Sequence, residues 1–194
     1  MSLVLALKNR DSVVVASDST EISDGSLKYG QFLNLSGRTI LLMAGNIEAV
    51  RRPIIEKVLP KLNPQTSPAV LAQLLQAALV LDVVPHLADL AGRIELIVAG
   101  IDPVRHIEEP GLYYLDSARD FHLSVVSAGS VAAGATAAVN AVIGNKDLAG
   151  TTTDDLMNIA KDCLATTKMR WPTAVGPHQR FGVITPHHMQ LFDF

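Results

Sequence analysis

Ser2 and Asp18 bracket the opening stretch of this 194-residue chain. Between them run Leu3-Val4-Leu5-Ala6-Leu7-Lys8, the polar turn Asn9-Arg10-Asp11, and Ser12-Val13-Val14-Val15-Ala16-Ser17. A hydroxyl is a weak nucleophile that needs a base, and the α-amino group of the same residue, with a reference pKa near ~8, is able to be one. With Met1 removed, Ser2 would carry nucleophile and base on one residue, and a penultimate Ser is small enough for ordinary methionine removal. The plainer reading is a strand that happens to follow Met-Ser, with Asp18 as a turn-capping carboxylate.

The remaining chemistry-bearing residues are sparse. Cys163 is the single cysteine, so no disulfide framework is expected, and it reads as a small buried apolar residue in a reducing compartment. His178, His187 and His188 gather near the end of the sequence, but adjacent residues on a strand point to opposite faces, so no metal is expected there. Asp154-Asp155 and Glu108-Glu109 read as solvated turn and helix-start charges. Neither a nucleophile elbow nor a zinc-type His-Glu motif is present. The glycines of Gly129-Ser130-Val131-Ala132-Ala133-Gly134 have the wrong spacing for dinucleotide binding, and they read as small residues that let a helix pack closely on a sheet. No cofactor is expected.

The elements that must position these residues follow from periodicity. The opening is a hairpin, and 31–35 and 39–43 read as two further short strands around the turn Ser36-Gly37-Arg38. Asn46 begins a helix to Leu59, and Ser67-Pro68 opens a second toward Val84. Strands are expected at 94–99, 112–116 and 121–126, helices at 130–142 and 153–167, and strands at 181–185 and 188–192. Strands, a helix pair, strands, a second helix pair and strands again favour stacked sheets with helices outside, in one domain spanning 1–194.

Composition limits the partners. The chain is 48% hydrophobic and 18% charged with a formal net charge of −3, which carries no basic stripe and so speaks against nucleic acid. The apolar stretch 69–91 is interrupted by Gln73, Gln76, Asp82, Pro85, His86 and Asp89, and reads as core helix rather than a membrane span. A cytoplasmic protein with no membrane partner is expected.

Several segments, taken in order, resemble the proteasome β-type subunits and bacterial relatives such as the HslV peptidase, within the N-terminal nucleophile hydrolases. The opening from Ser2 to Asp18 is similar to that family's first hairpin. Met43-Ala44-Gly45 resembles the strand ending in its oxyanion-hole glycine, Leu96-Ile97-Val98-Ala99-Gly100-Ile101-Asp102 and Leu112-Tyr113-Tyr114-Leu115-Asp116 its central strands, Ser127-Ala128-Gly129-Ser130 its Gly-Ser at a helix start, and Phe181-Gly182-Val183-Ile184-Thr185 a late strand. The resemblance implies an α+β, four-layer αββα sandwich assembling into stacked rings. It further implies a threonine/serine-type peptidase acting on peptides or unfolded proteins, with an unfoldase ATPase as a possible partner. Its implied site is Ser2, Asp18, Gly45 and Ser130.

The departures are specific. The family's lysine aligns with Gln31, which carries no charge, while Lys28 lies three residues earlier, within reach of a loop shift. Pro172 and Val175 stand where the family has an Asp and a Ser, and neither side chain accepts a hydrogen bond. Two readings therefore stand together: a peptidase with a divergent site, or a catalytically inactive ring-forming scaffold or partner-binding protein.

Overall fold

The computed structural model describes residues 3–18, 20–21, 27–28, 32–104, 107–127, 129–173, 176 and 178–193. The opening hairpin is as expected. Strand β1 (Leu3–Lys8) and β2 (Val13–Asp18) pair antiparallel from Val4↔Ser17 to Lys8↔Val13. Asn9 closes the turn, its Oδ1 accepting from the Asp11 and Ser12 N–H groups at 2.9 and 2.7 Å.

Among the described residues ten more strands and four helices follow. A two-residue pair, β3 (Thr20–Glu21) and β4 (Leu27–Lys28), precedes β5 (Phe32–Ser36) and β6 (Thr39–Gly45). Helix α1 (Glu48–Pro53) continues as a π-helical turn over Ile54–Val58 and a 3-10 turn over Leu59–Lys61. Helix α2 (Pro68–Asp82) begins at Ser67, whose side chain accepts from the Val70 N–H, with Pro68 at the first position, where its missing N–H costs nothing. Strands β7 (Ile94–Val104), β8 (Ile107–Asp116), β9 (Ser124–Val125) and β10 (Ser130–Gly134) come next, then α3 (Ala137–Ile143), α4 (Thr153–Arg170), β11 (Gln179–Ile184) and β12 (Met189–Asp193).

The strands form two antiparallel five-stranded sheets, β10-β1-β2-β11-β12 and β5-β6-β7-β8-β9, beside the two-stranded β3-β4. Side chains alternate along β1 with the period of two that a strand imposes. Val4 and Ala6 join Val13, Val15, Ile40, Leu42, Ile97 and Ala99 in one apolar cluster that draws on both sheets. Leu3, Leu5 and Leu7 face the other way and pack with Leu156, Ala160, Cys163 and Leu164 of α4. A third cluster sets Leu71, Leu75 and Leu79 of α2 against Leu41, Leu96 and Val98.

The expected four-layer αββα sandwich is corrected by this arrangement, which is two antiparallel five-stranded sheets plus a few helices. The first member of each expected helix pair departs from a plain α-helix. The segment expected as a helix from Asn46 to Leu59 is helical over 48–61, passing from α through a π turn to a 3-10 turn, with Pro53 removing an N–H from the ladder. The segment from Ser130, expected as an Ala-rich helix, is strand β10, and only seven residues after it wind into α3. The expected strand 121–126 is reduced to Ser124–Val125, because Asp120 and Phe121 take φ of 50° and 55°, outside any strand.

Candidate active site

Asp18 is the best-held of the expected residues. It is buried at the end of β2, where its Oδ1 accepts from the Leu3 N–H at 2.7 Å and its Oδ2 from the Gly176 N–H at 2.9 Å. Burial pushes the Asp18 carboxyl above its ordinary value, against the lowering effect of those two N–H donors. The residue directly after Ser2 is thus anchored to a buried carboxylate. Ser2 itself lies outside the described residues, as do Gln31 and Val175. Pro172 sits in an exposed turn after α4.

Gly45 ends β6 with φ of 90°, and a Cβ there would lie 1.8 Å from the Arg93 carbonyl oxygen. Only glycine fits both the conformation and the approach. The same Arg93 carbonyl accepts from the Asn46 N–H at 3.2 Å, so the turn leaving Gly45 is pinned to the start of β7. Met43 and Ile47, two residues to either side of Gly45, line a cavity of about 370 Å³ with Leu33, Ile54, Ile55 and Leu59, and Glu48 and Arg51 supply its charged groups.

Ser130 is not brought to this place. The β1–β10 ladder sets Ser130 opposite Leu7 and Gly134 opposite Leu3, so four residues, about 14 Å of strand, separate Ser130 from the level of Leu3. The expected helix-cap role fails with it, since Ser130 opens a strand. Lys28 is in β4, opposite Thr20, in the pair that follows β2.

What the structure does bring to the start of β1 is a polar cluster that spacing did not single out. Glu95 of β7 is buried; its Oε2 accepts from the Gly134 N–H at 2.9 Å and its Oε1 from the Tyr114 hydroxyl at 2.5 Å. Arg93 holds Asp116 with two bonds of 2.9 and 2.5 Å and reaches Glu95 at 3.4 Å. The guanidinium draws the Asp116 carboxyl below its ordinary value, although burial alone would raise it. Tyr114 is pushed well above the usual phenol range by burial and by its bond to Glu95. Glu95 pairs with Ala44 in one ladder, and Gly134 with Leu3 in another, so this bond joins the Gly45 end of one sheet to the Leu3 end of the other.

No protein-family model matches the sequence, and no curated protein matches it. The site is therefore read from its own chemistry. Among the described residues no group of three or more His, Cys, Asp or Glu side chains is placed to hold a metal ion, and no helix is long and apolar enough to cross a membrane. A signal for the missed cluster was present in the pattern: Arg93-x-Glu95 and Tyr114-x-Asp116 each set two polar groups at alternate positions, at the start of β7 and the end of β8, which pair with each other.

Proposed function

We propose that the chain is a peptidase subunit of the N-terminal nucleophile kind, proteasome-like and ring-forming, with Ser2 as nucleophile and a divergent surrounding site. The observation that carries the reading is the bond from the Leu3 N–H to buried Asp18, which fixes the residue adjoining the nucleophile. In this mechanism the Ser2 hydroxyl oxygen attacks a peptide carbonyl carbon and its proton passes to the α-amine of the same residue. The Gly45 N–H receives the developing oxyanion. The protonated amine then gives its proton to the departing amine, and water, activated by the same α-amine, hydrolyses the acyl ester. The cavity beside Gly45 suits an apolar side chain on the acyl side of the cleaved bond.

The test is the N-terminal state followed by reaction with a proteasome-type epoxyketone, which consumes both the hydroxyl and the free amine. Loss of Met1 with a covalent adduct at Ser2, and loss of turnover of apolar fluorogenic peptides in Ser2→Ala, are the expected results. A free Ser2 that stays unmodified, or turnover that survives Ser2→Ala, would overturn the catalytic reading. The second reading, a ring-forming scaffold without catalysis, is favoured by one observation: Ser130 stands at the opposite end of β1 from Leu3.

A further inference from the structure

Helix α2 is apolar on both sides. Its inner side sets Leu71, Leu75 and Leu79 against the sheet. Its outer side has a pattern of its own: Val70, Leu74, Ala77, Leu81 and Val84 recur at intervals of four, three, four and three residues, the heptad seam of helices that pair. On this side Val70, Val80 and Leu81 are 47%, 41% and 69% exposed, while Leu74 and Val84 are half-buried. Gln73 is the polar residue among them, and none is charged. The one charged side chain of α2, Asp82, is held by Lys57 of the same chain at 2.5 Å. Helix α4 shows what a solvated outer side is in this molecule, since it presents Asp154, Lys161, Asp162 and Lys168. A helix that is apolar all round belongs where both sides are covered.

We propose that the outer side of α2 is a self-association surface, on which the α2 of a second copy of this chain packs antiparallel about a two-fold axis at Ala77. The pattern is its own complement. An axis there sets Val70 against Val84 of the second copy, Gln73 against Leu81 and Leu74 against Val80, and the small Ala77 meets itself where the helices come closest. No like charges are brought together, as they would be between two copies of a charged face. A lipid surface fits less well, because interfacial helices flank their apolar side with Lys and Arg, and α2 has neither. About 22 Å of helix is a small contact beside the ~800 Å² per partner of a stable interface, so the pairing is weak and rises with concentration. It rests neither on Ser2 nor on the ring.

The test is thiol cross-linking of the purified full chain under mild oxidation, with the parent, whose Cys163 is buried, as control. Ala77→Cys is expected to form a disulfide-linked dimer in a yield that grows with protein concentration. Gln73→Cys and Leu81→Cys, one of them carrying a mass tag, are expected to cross-link to each other when mixed and not to themselves, since about 12 Å of helix rise separates each from its own copy. Leu81→Glu added to Ala77→Cys puts a charge in the seam at a position exposed in the single chain. It is expected to cut the dimer yield about tenfold or more while the urea midpoint stays in place. Self-linking of Gln73→Cys and of Leu81→Cys would mean parallel pairing and would overturn the two-fold arrangement. Absence of the Ala77→Cys dimer, or a yield that Leu81→Glu leaves unchanged, overturns the self-association surface; retention of such a chain on phosphatidylcholine vesicles would assign the face to lipid instead.

Discussion

Asp18 joins two segments that are distant in sequence, because its two oxygens serve Leu3 and Gly176. An amide in its place has a single acceptor oxygen, so Asp18→Asn leaves one buried N–H facing an NH₂ group. That substitution is expected to cost about 1–3 kcal/mol near pH 7, measured by urea unfolding. The pH dependence has a definite sign. An acid whose folded pKa is raised stabilises the fold fully below its ordinary value, near 3.8, and that contribution is lost as the pH climbs through the raised value. Asp116, held low by Arg93, works the other way: its contribution is present above 3.8 and is lost as the pH falls. Asp18→Asn should therefore flatten the decline in stability above pH 4 and leave the acid limb in place; an unchanged profile above pH 4 would count against the buried titration. Asp18 was legible as the residue that closes an apolar run, and Gly45 came only from the family resemblance. Their partners were not legible. Gly176 acts through its backbone, which no side-chain pattern encodes, and Glu95 acts on a backbone N–H thirty-nine residues away.

Elements with strong local signals came out as periodicity predicts. Helix α4 starts with a capping box in which Thr152 accepts from the Asp155 N–H while Asp155 accepts from the Thr152 N–H. Thr152→Ala is expected to destabilise the chain by about 1 kcal/mol, read as a lower urea midpoint with an unchanged slope. A change in slope instead would mean that the helix end reorganises the denatured or native state more widely. The segment from Ser130 to Gly134 shows why composition misleads. Alanine is the strongest helix former, so Val-Ala-Ala reads as helix, yet pairing with β1 from Leu3↔Gly134 to Leu7↔Ser130 decides the outcome. The alternation was there to be used: Ala133 packs with the cluster between the sheets, whereas Ala132 packs against the α4 side. Phe121 escaped for a different reason, because two successive left-handed residues leave no trace in hydropathy.

Across the whole molecule, sheet pairing was more legible than layering. Runs such as Val13-Val14-Val15-Ala16, apolar at every position, demand cover on both faces, and the structure provides it. What periodicity could not supply was the completeness of the helical cover, because a proline and a short alanine run set how far each helix extends. The proposed assembly belongs at this scale. Sedimentation of the purified protein is expected to give a species of many subunits, and a clean monomer near the 20.7 kDa chain mass would overturn the ring. The π-helical turn over Ile54–Val58 has a further consequence. There the Leu59 N–H reaches back five residues to the Ile54 carbonyl, so the turn holds one residue more than an α-helix would use. Deleting a single residue inside it would let the helix rewind into ordinary α geometry with the flanking turns kept in phase, because the wide turn is what absorbs the extra residue. Only the side chains of the turn itself, Ile54 and Ile55 among them, would be reset against the cavity wall. Length variation of one residue at this turn would therefore act as a dial on pocket shape, changing which side chains are admitted without touching the sheet that carries Gly45.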